Sequence, residues 1–196
     1  MFALDRTISP ASFLALVGLS MLMMLSMNIV NALENEQAKK RTKTVNTIVL
    51  HTIGGPVCKN GKVVFTGAPG DAKKWKRYFE NASGISIHYV IDREGNIESS
   101  IEEDRIAYHA KGKNSRSIGI ELVNVGDGNE EFPETQIEAL VKLVKDIKSR
   151  HSDVTNTNII PHSEIDDRTF KCKGADMKLK QDPGPKFPYE RVLSEV

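Results

Sequence analysis

The sequence predicts a single α/β domain with a mixed central β-sheet flanked by helices, and three segments carry that expectation. "TVNTIVLHTI", Thr44 to Ile53, is dense in β-branched residues and runs into Gly54-Gly55-Pro56, which reads as a buried strand ended by a turn. From Pro133, apolar side chains at Ile137, Leu140, Val141, Val144 and Ile147 recur at helical spacing, and Lys145, Lys148 and Arg150 near the end of that run suit the negative pole of a helix. "ISIHYVID" and "NIESSI" flank Arg93-Glu94-Gly95, a hairpin signal, so part of the sheet is antiparallel.

The remaining elements fall between these. Asp71 opens "DAKKWKRYFENASG", where Trp75, Tyr78, Phe79 and Ala82 follow helical spacing and Gly84 supplies the stop, which predicts a short amphipathic helix. "SIGIELVNV" reads as a further strand, and "NTNIIPH" as a short last one with His162 just beyond its end. Ahead of the domain, Phe13 to Val30 is an apolar run interrupted only by Gly18, Ser20, Ser26 and Asn28 and preceded by Arg6. That pattern is an export signal, with cleavage expected after Ala32; the alternative is an uncleaved membrane anchor. The expected organisation is therefore residues 1–32 as signal peptide or N-terminal anchor, 33–43 as a linker or arm, and 44–196 as the folded domain. The expected location is outside the cytoplasm: periplasmic, or anchored to the inner membrane and facing the periplasm, with the membrane touched only through the N-terminal segment.

Charge excludes one class of partner. The chain carries 27 basic and 26 acidic residues, one of each within residues 1–32, so the remainder keeps a net charge of +1. Nucleic-acid binding driven by phosphate neutralisation needs a basic excess that is absent. A monomer acting on a small or polymeric substrate is the expectation.

Three polar residues stand where apolar ones would bury more easily. His51 and His162 each end an apolar strand run, and Glu121 interrupts "IGIELV" on the face opposite Ile118, Ile120 and Leu122. A buried carboxylate needs compensation. Two imidazoles and a carboxylate make a ligand set that zinc accepts with one position left for water. Five histidines in a chain of 196 residues are equally accounted for as core or surface groups, so on these residues alone both readings stay open.

A set of motifs narrows the choice. "IVLHTIGG", "ISIHYVIDREGNI", "AYHAKGKNSRSIGIELVN", "IIPHSEI" and "KQDPGPKFPY" resemble, in this order, the motifs of the type 2 N-acetylmuramoyl-L-alanine amidases, the zinc family that also includes the peptidoglycan-recognition proteins. The resemblance covers roughly Val45 to Leu193 and implies the fold of that family for 44–196. It implies zinc ligands at His51, His162 and Asp182, an acid/base carboxylate at Glu121 and a catalytic basic side chain at Lys180. It also implies the reaction: hydrolysis of the amide between the lactyl group of N-acetylmuramic acid and the L-alanine of a peptidoglycan stem peptide, by a zinc-activated water with Glu121 as general base. The substrate would be peptidoglycan or a muropeptide. Restriction to shed anhydromuropeptides, and a non-catalytic peptidoglycan-binding module, are the alternative readings.

One departure bears on the ligand set. Lys180 follows His162 by 18 residues, whereas in the family the lysine follows the second histidine far more closely. The longer segment holds Cys172 and Asp176, either of which could replace Asp182, although Pro183-Gly184-Pro185 continues the family pattern after Asp182. A Cys58–Cys172 disulfide would tether this segment to the loop after His51; two unpaired thiols are the alternative. His109, in "AYHAKG", matches a family position beside the substrate groove and is expected to bind substrate, with a structural hydrogen-bonded role as the alternative. Asn114 and Arg116, in the polar loop before the Glu121 strand, are expected to contact glycan or peptide, or simply to be solvated. His88 and Trp75 are expected in the core, and His151 at a helix C-terminus.

Overall fold

The run of β-branched residues from Thr47 forms β1 (Thr47–Thr52), a strand buried along its whole length because it is flanked on both sides. The structure, a computed structural model, describes residues 38–196; the expectations for residues 1–32 lie outside the described residues. The central sheet also contains β4 (Tyr89–Ile91), β5 (Ile97–Ser99), β6 (Ser117–Leu122) and β7 (Ile159–Pro161), in the order β5-β4-β6-β1-β7. β6 and β7 lie parallel to β1, β4 is parallel to β6, and β5 closes the edge antiparallel to β4 through the hairpin foreseen at Arg93-Glu94-Gly95. This is the mixed sheet that the sequence predicts.

Alternation along β1 and β6 divides the sheet into two unlike faces. Ile48, Leu50, Ile118, Ile120 and Leu122 meet the apolar stripe of α2 (Glu134–Arg150), namely Ile137, Leu140, Val141, Val144 and Ile147. Val192 of the C-terminal α3 (Tyr189–Glu195) and Phe187 before it complete that core. On the other face, Val90 and Val123 pack with Ala72 and Phe79 of α1 (Ala72–Asn81) and with Ile87. The N-terminus of α1 is capped by Asp71, whose Oδ1 accepts from the Lys74 amide at 2.8 Å. α1 packs on β4 and β5, so the β1 and β6 positions on this face, His51 and Glu121 among them, line a cleft instead.

Two hairpins outside the sheet were not foreseen. β2 (Pro56–Lys59) pairs with β3 (Lys62–Phe65), and β8 (Thr169–Cys172) with β9 (Ala175–Lys178). Each turns on two residues with positive φ, Asn60 and Gly61 in the first, Lys173 and Gly174 in the second, the pattern of a type I′ turn. The hairpins are joined by a Cys58–Cys172 disulfide, which answers the open question about the two cysteines. The long segment between His162 and Lys180 is therefore a structured hairpin stapled to the one that follows His51.

Three further details refine the sequence expectations. Within the stretch expected as linker or arm, Lys40 bridges to Arg105, and the Arg41 guanidinium donates to the carbonyls of Glu103, Arg105, Asn114 and Ser117 at 2.8–3.1 Å. Tyr78 points outward from α1 and is half exposed. His151 caps α2 and also reaches Glu103, with Nε2 at 2.7 Å from Oε2. No helix among the described residues is long and apolar enough to cross a membrane.

The disulfide closes a loop across a sequence separation of 114 residues. Reduction, or the Cys58→Ser/Cys172→Ser double variant, is expected to lower the unfolding free energy by about 2–5 kcal/mol in urea titrations with and without reductant.

Candidate active site

β1 stands between its two parallel neighbours, and this placement assembles the site. His51 pairs in register with Glu121 on β6, while Leu50 pairs with Pro161, the last residue of β7. His162 emerges one residue later, into a short 3-10 turn, and so arrives beside His51. Asp182 is brought from the far end of the stapled hairpin. Its carbonyl accepts the Ser163 amide at 3.0 Å, and two residues on Gly184 lies so close to Gly126 that a Cβ there would sit 2.3 Å from the Gly126 oxygen. Close packing of two glycine backbones thus fastens the Asp182 segment to the loop after β6.

The three residues converge through one atom each. His51 Nδ1 and His162 Nδ1 are 2.9 Å apart, and Asp182 Oδ2 lies 3.2 Å from the first and 3.0 Å from the second. All three side chains are buried. Two protonated Nδ1 atoms at that separation would clash, so at most one carries hydrogen, and the triangle presents more lone pairs than it can satisfy internally. A divalent cation resolves this. Tetrahedral zinc, with bonds of about 2.0–2.1 Å, holds its ligand atoms about 3.3 Å apart, so these donors fit with a shift of a few tenths of an ångström. His51, His162 and Asp182 are the metal-capable cluster among the described residues. Cys172 is engaged in the disulfide, and Asp176 is exposed and paired with Lys171 at 2.7 Å, so neither reaches the triangle. Behind His162, Nε2 faces Asp166 Oδ2 at 3.9 Å, and Arg168 in turn grips that carboxylate.

Electrostatics differ sharply among these groups. Burial pushes His51 down to about 4, with His162 and Lys180 adding to the effect and Asp182 opposing it. Burial would raise Asp182, but hydrogen bonds with His162 and His51 outweigh it and hold the carboxyl well below the usual range. Glu121 moves the other way: burial and then the Asp182 charge push it up to about 8, against the pull of Lys180. Its Oε2 is buried without a hydrogen-bond partner.

Glu121, Lys180 and the three converging residues line one cleft of about 420 Å³. Its rim includes Val57 on the stapled hairpin, Tyr78 on α1, Ile85 and Tyr108, each of them more than a third exposed. The sequence pattern set Tyr78 on the apolar face of its helix and did not mark these as cleft residues, because an exposed apolar residue is unremarkable until its neighbours are known.

The expected substrate-binding residues part company. His109 lines the cleft, with Nδ1 at 3.0 Å from His51 Nε2 and Nε2 at 3.1 Å from Ser117 Oγ. Burial and the surrounding imidazoles of His51, His88 and His162 hold it well below the usual histidine range. Asn114 does not line the cleft: its Oδ1 accepts the amides of His109 and Ala110 at 3.1 and 2.7 Å and so shapes the loop. Arg116 is exposed and also outside the cleft lining. Loop polarity singled out both residues, but it does not report where a side chain points. His88 is buried, and its Nδ1 accepts the Gly119 amide at 3.0 Å.

Comparison with known proteins identifies the family. The family profile described as N-acetylmuramoyl-L-alanine amidase matches residues 41–185. The chain is similar to the endolysin of Klebsiella phage KP32, 31% identical over 98 residues, covering 48% of this chain and 62% of that protein. It is likewise similar to the 1,6-anhydro-N-acetylmuramyl-L-alanine amidase AmpD of Haemophilus influenzae, 31% identical over 120 residues and covering 57% and 59%. To the N-acetylmuramoyl-L-alanine amidase AmiD of Escherichia coli it is 29% identical over 133 residues, covering 57% and 44%. The matches thus span about three fifths or less of these relatives' own lengths. Among solved structures, AmpDh3 of Pseudomonas aeruginosa superposes with a TM-score of 0.58 at 27% identity, covering 78% of this chain and 60% of that one. The E. coli AmiD complex with anhydro-N-acetylmuramic acid-L-Ala-D-γ-Glu-L-Lys gives 0.57 at 22%, covering 81% and 61%, a likeness of fold. With a profile match that spans most of the domain and a sheet that carries the matched motifs to one cleft, the chain belongs to the type 2 N-acetylmuramoyl-L-alanine amidase family, a family of hydrolases.

Proposed function

We propose that the protein hydrolyses the amide between the lactyl group of N-acetylmuramic acid and the L-alanine of peptidoglycan stem peptides, with zinc held by His51, His162 and Asp182. One observation carries this reading: the Glu121 carboxyl, buried with an unpartnered oxygen, lines the cleft in register with His51. A fold gains nothing from such a group, since burying it costs free energy that no contact returns. Hydrolysis has a use for it.

Held by His51, His162 and Asp182, zinc would supply Lewis acidity and would lower the pKa of water towards about 7. Glu121 takes the proton of the attacking water and delivers it to the departing alanine nitrogen, a shuttle open to a carboxyl that lines the cleft with an oxygen bound to nothing else. Lys180, on the cleft wall, places positive charge where the carbonyl oxygen becomes an oxyanion. Asp182, held ionised between two histidines, supplies the negative charge that a divalent cation requires. The apolar rim of Val57, Ile85, Tyr78 and Tyr108 offers ring faces and methyl contacts to the sugar and lactyl group. Residues 1–32 have export character, so intact peptidoglycan in the periplasm is the proposed substrate and a monomer the proposed form; shed anhydromuropeptide is the alternative.

Digestion of purified peptidoglycan tests the reaction. Mass spectrometry is expected to show released peptides with a free L-alanine amine, lost on chelation and restored by zinc, and Glu121→Ala should be about 10²–10⁴-fold slower. Intact substrate beside zinc-loaded protein would refute the proposal for the polymer, and a parallel digest of anhydromuropeptide would identify the shed fragment instead. For Lys180→Ala, kcat is expected to fall about 10²–10³-fold while zinc content stays unchanged.

A pH titration checks Glu121 separately. In the metal-free fold its carboxyl is raised from 4.5 to about 8, so between those values the folded state keeps a proton that the unfolded state releases. Stability must then fall as pH rises, by at most about 1.4 kcal/mol per unit. His51, lowered to about 4 from 6.5, acts in the opposite sense, with stability rising as pH climbs through that lower window. Urea denaturation of metal-free wild type and Glu121→Gln at several pH values isolates the glutamate: the difference between them should widen in favour of the variant towards about pH 8.

A further inference from the structure

Behind His51, on the side away from the metal triangle, the polar groups form a chain closed at one end. His51 Nε2 lies 3.0 Å from His109 Nδ1, His109 Nε2 lies 3.1 Å from Ser117 Oγ, and Ser117 Oγ lies 3.0 Å from the Lys113 carbonyl. A carbonyl can only accept. Ser117 therefore spends its single hydrogen on Lys113 and accepts from the His109 Nε2–H. A neutral imidazole has one N–H, so His109 Nδ1 carries a lone pair and accepts from the His51 Nε2–H. His51 then has no hydrogen left for Nδ1, whose lone pair faces His162 and Asp182.

The chain is anchored at both of its outer members. The Lys113 carbonyl also takes the Arg116 amide at 2.9 Å, which fixes it in the 3-10 turn Asn114–Arg116. Asn114 Oδ1 holds the His109 and Ala110 amides to the same turn. Opposite the His109 ring, β6 is reduced to Gly119, where a Cβ would meet His109 Cγ at 2.6 Å and Nδ1 at 2.7 Å. The ring thus has space at one orientation and hydrogen bonds at both nitrogens.

We propose that His109 and Ser117 are positioning residues that hold His51 as its Nε2–H tautomer and aim Nδ1 at the metal, so that they set the metal affinity of the site. This rests on the reading of His51 as a ligand. It assigns His109 a partner in His51 where the sequence pattern pointed to substrate. Partners that orient a metal-bound imidazole are typically worth about 10–100-fold in metal affinity.

Two measurements on the intact protein test the proposal. Nitrogen-15 NMR of the imidazoles in the metal-free wild type should show both His51 and His109 as Nε2–H tautomers; an Nδ1–H tautomer at His51 overturns it. Competition against a chelator of known affinity should show zinc binding weakened about 10–100-fold in Ser117→Ala and in His109→Leu. Most of that loss should be recovered in His109→Gln, whose amide offers an acceptor and a donor. Thermal melts accompany each variant. Ser117→Ala removes a single oxygen, so it tests the chain even if the leucine variant fails to fold. Unchanged zinc affinity in folded Ser117→Ala overturns the proposal. Failure of the wild type to bind zinc at all, with the tautomers as stated, overturns the metal reading rather than the hydrogen-bond polarity.

Discussion

Everything at the site depends on the parallel register of β1 against β6, which sets His51 beside Glu121 on the sheet face that forms the cleft. Side chains in a strand alternate, so a one-residue slip of either strand would turn its own polar group, His51 or Glu121, into the α2 core and bring Leu50 or Ile120 to the cleft. The register is held from the other side. Ile48, Leu50, Ile118, Ile120 and Leu122 are all fully buried against α2, and a one-residue slip of either strand would take its own members of this set out of the core. The apolar face thereby enforces the geometry of the polar one, and the chemistry is specified by residues that never touch it.

This arrangement also shows where the fold accepts a cost. Three buried ligand-type side chains and the Glu121 carboxyl, with one oxygen unpartnered, sit within one cleft, and in a metal-free fold they oppose one another: burial and the Asp182 charge raise Glu121, while burial lowers His51 and His109. A divalent cation would reverse most of these terms at once, since it accepts the lone pairs and offsets the negative charge. The stapled hairpins contribute differently. The first supplies Pro56 and Val57 to the cleft wall, and the second carries the chain from His162 out to Lys180 and Asp182, so the ligand set is split between the rigid sheet and a cross-linked extension of it.

Much of this was legible beforehand, for physical reasons. β1, β6 and α2 announce themselves through periodicity, because each buries one side against the same core. His51, His162 and Glu121 stood out as polar residues at the ends or in the middle of apolar runs. Asp182 did not; only the motif around Pro183-Gly184-Pro185 pointed to it, since its placement depends on the packing of Gly184 against Gly126, a contact across 58 residues. The β2–β3 hairpin was readable in principle from Asn60-Gly61 between two short apolar stretches, a signal overlooked in a segment rich in turn residues. The role of His109 was out of reach from sequence, because it depends on which ring nitrogen meets which neighbour.

Gly119 ties the central sheet to that histidine. A side chain at this position and the His109 ring claim the same volume, so the two positions form a single unit under mutation. Drift at 119 is closed for as long as His109 and Ile87 remain, since the buried Ile87 Cδ1 methyl also lies 2.6 Å from that Cβ position. The three positions should therefore covary among proteins of this fold. If His51 holds a metal as proposed, an amidase with a larger residue at the matching point of the strand would need another group to steady the histidine that matches it.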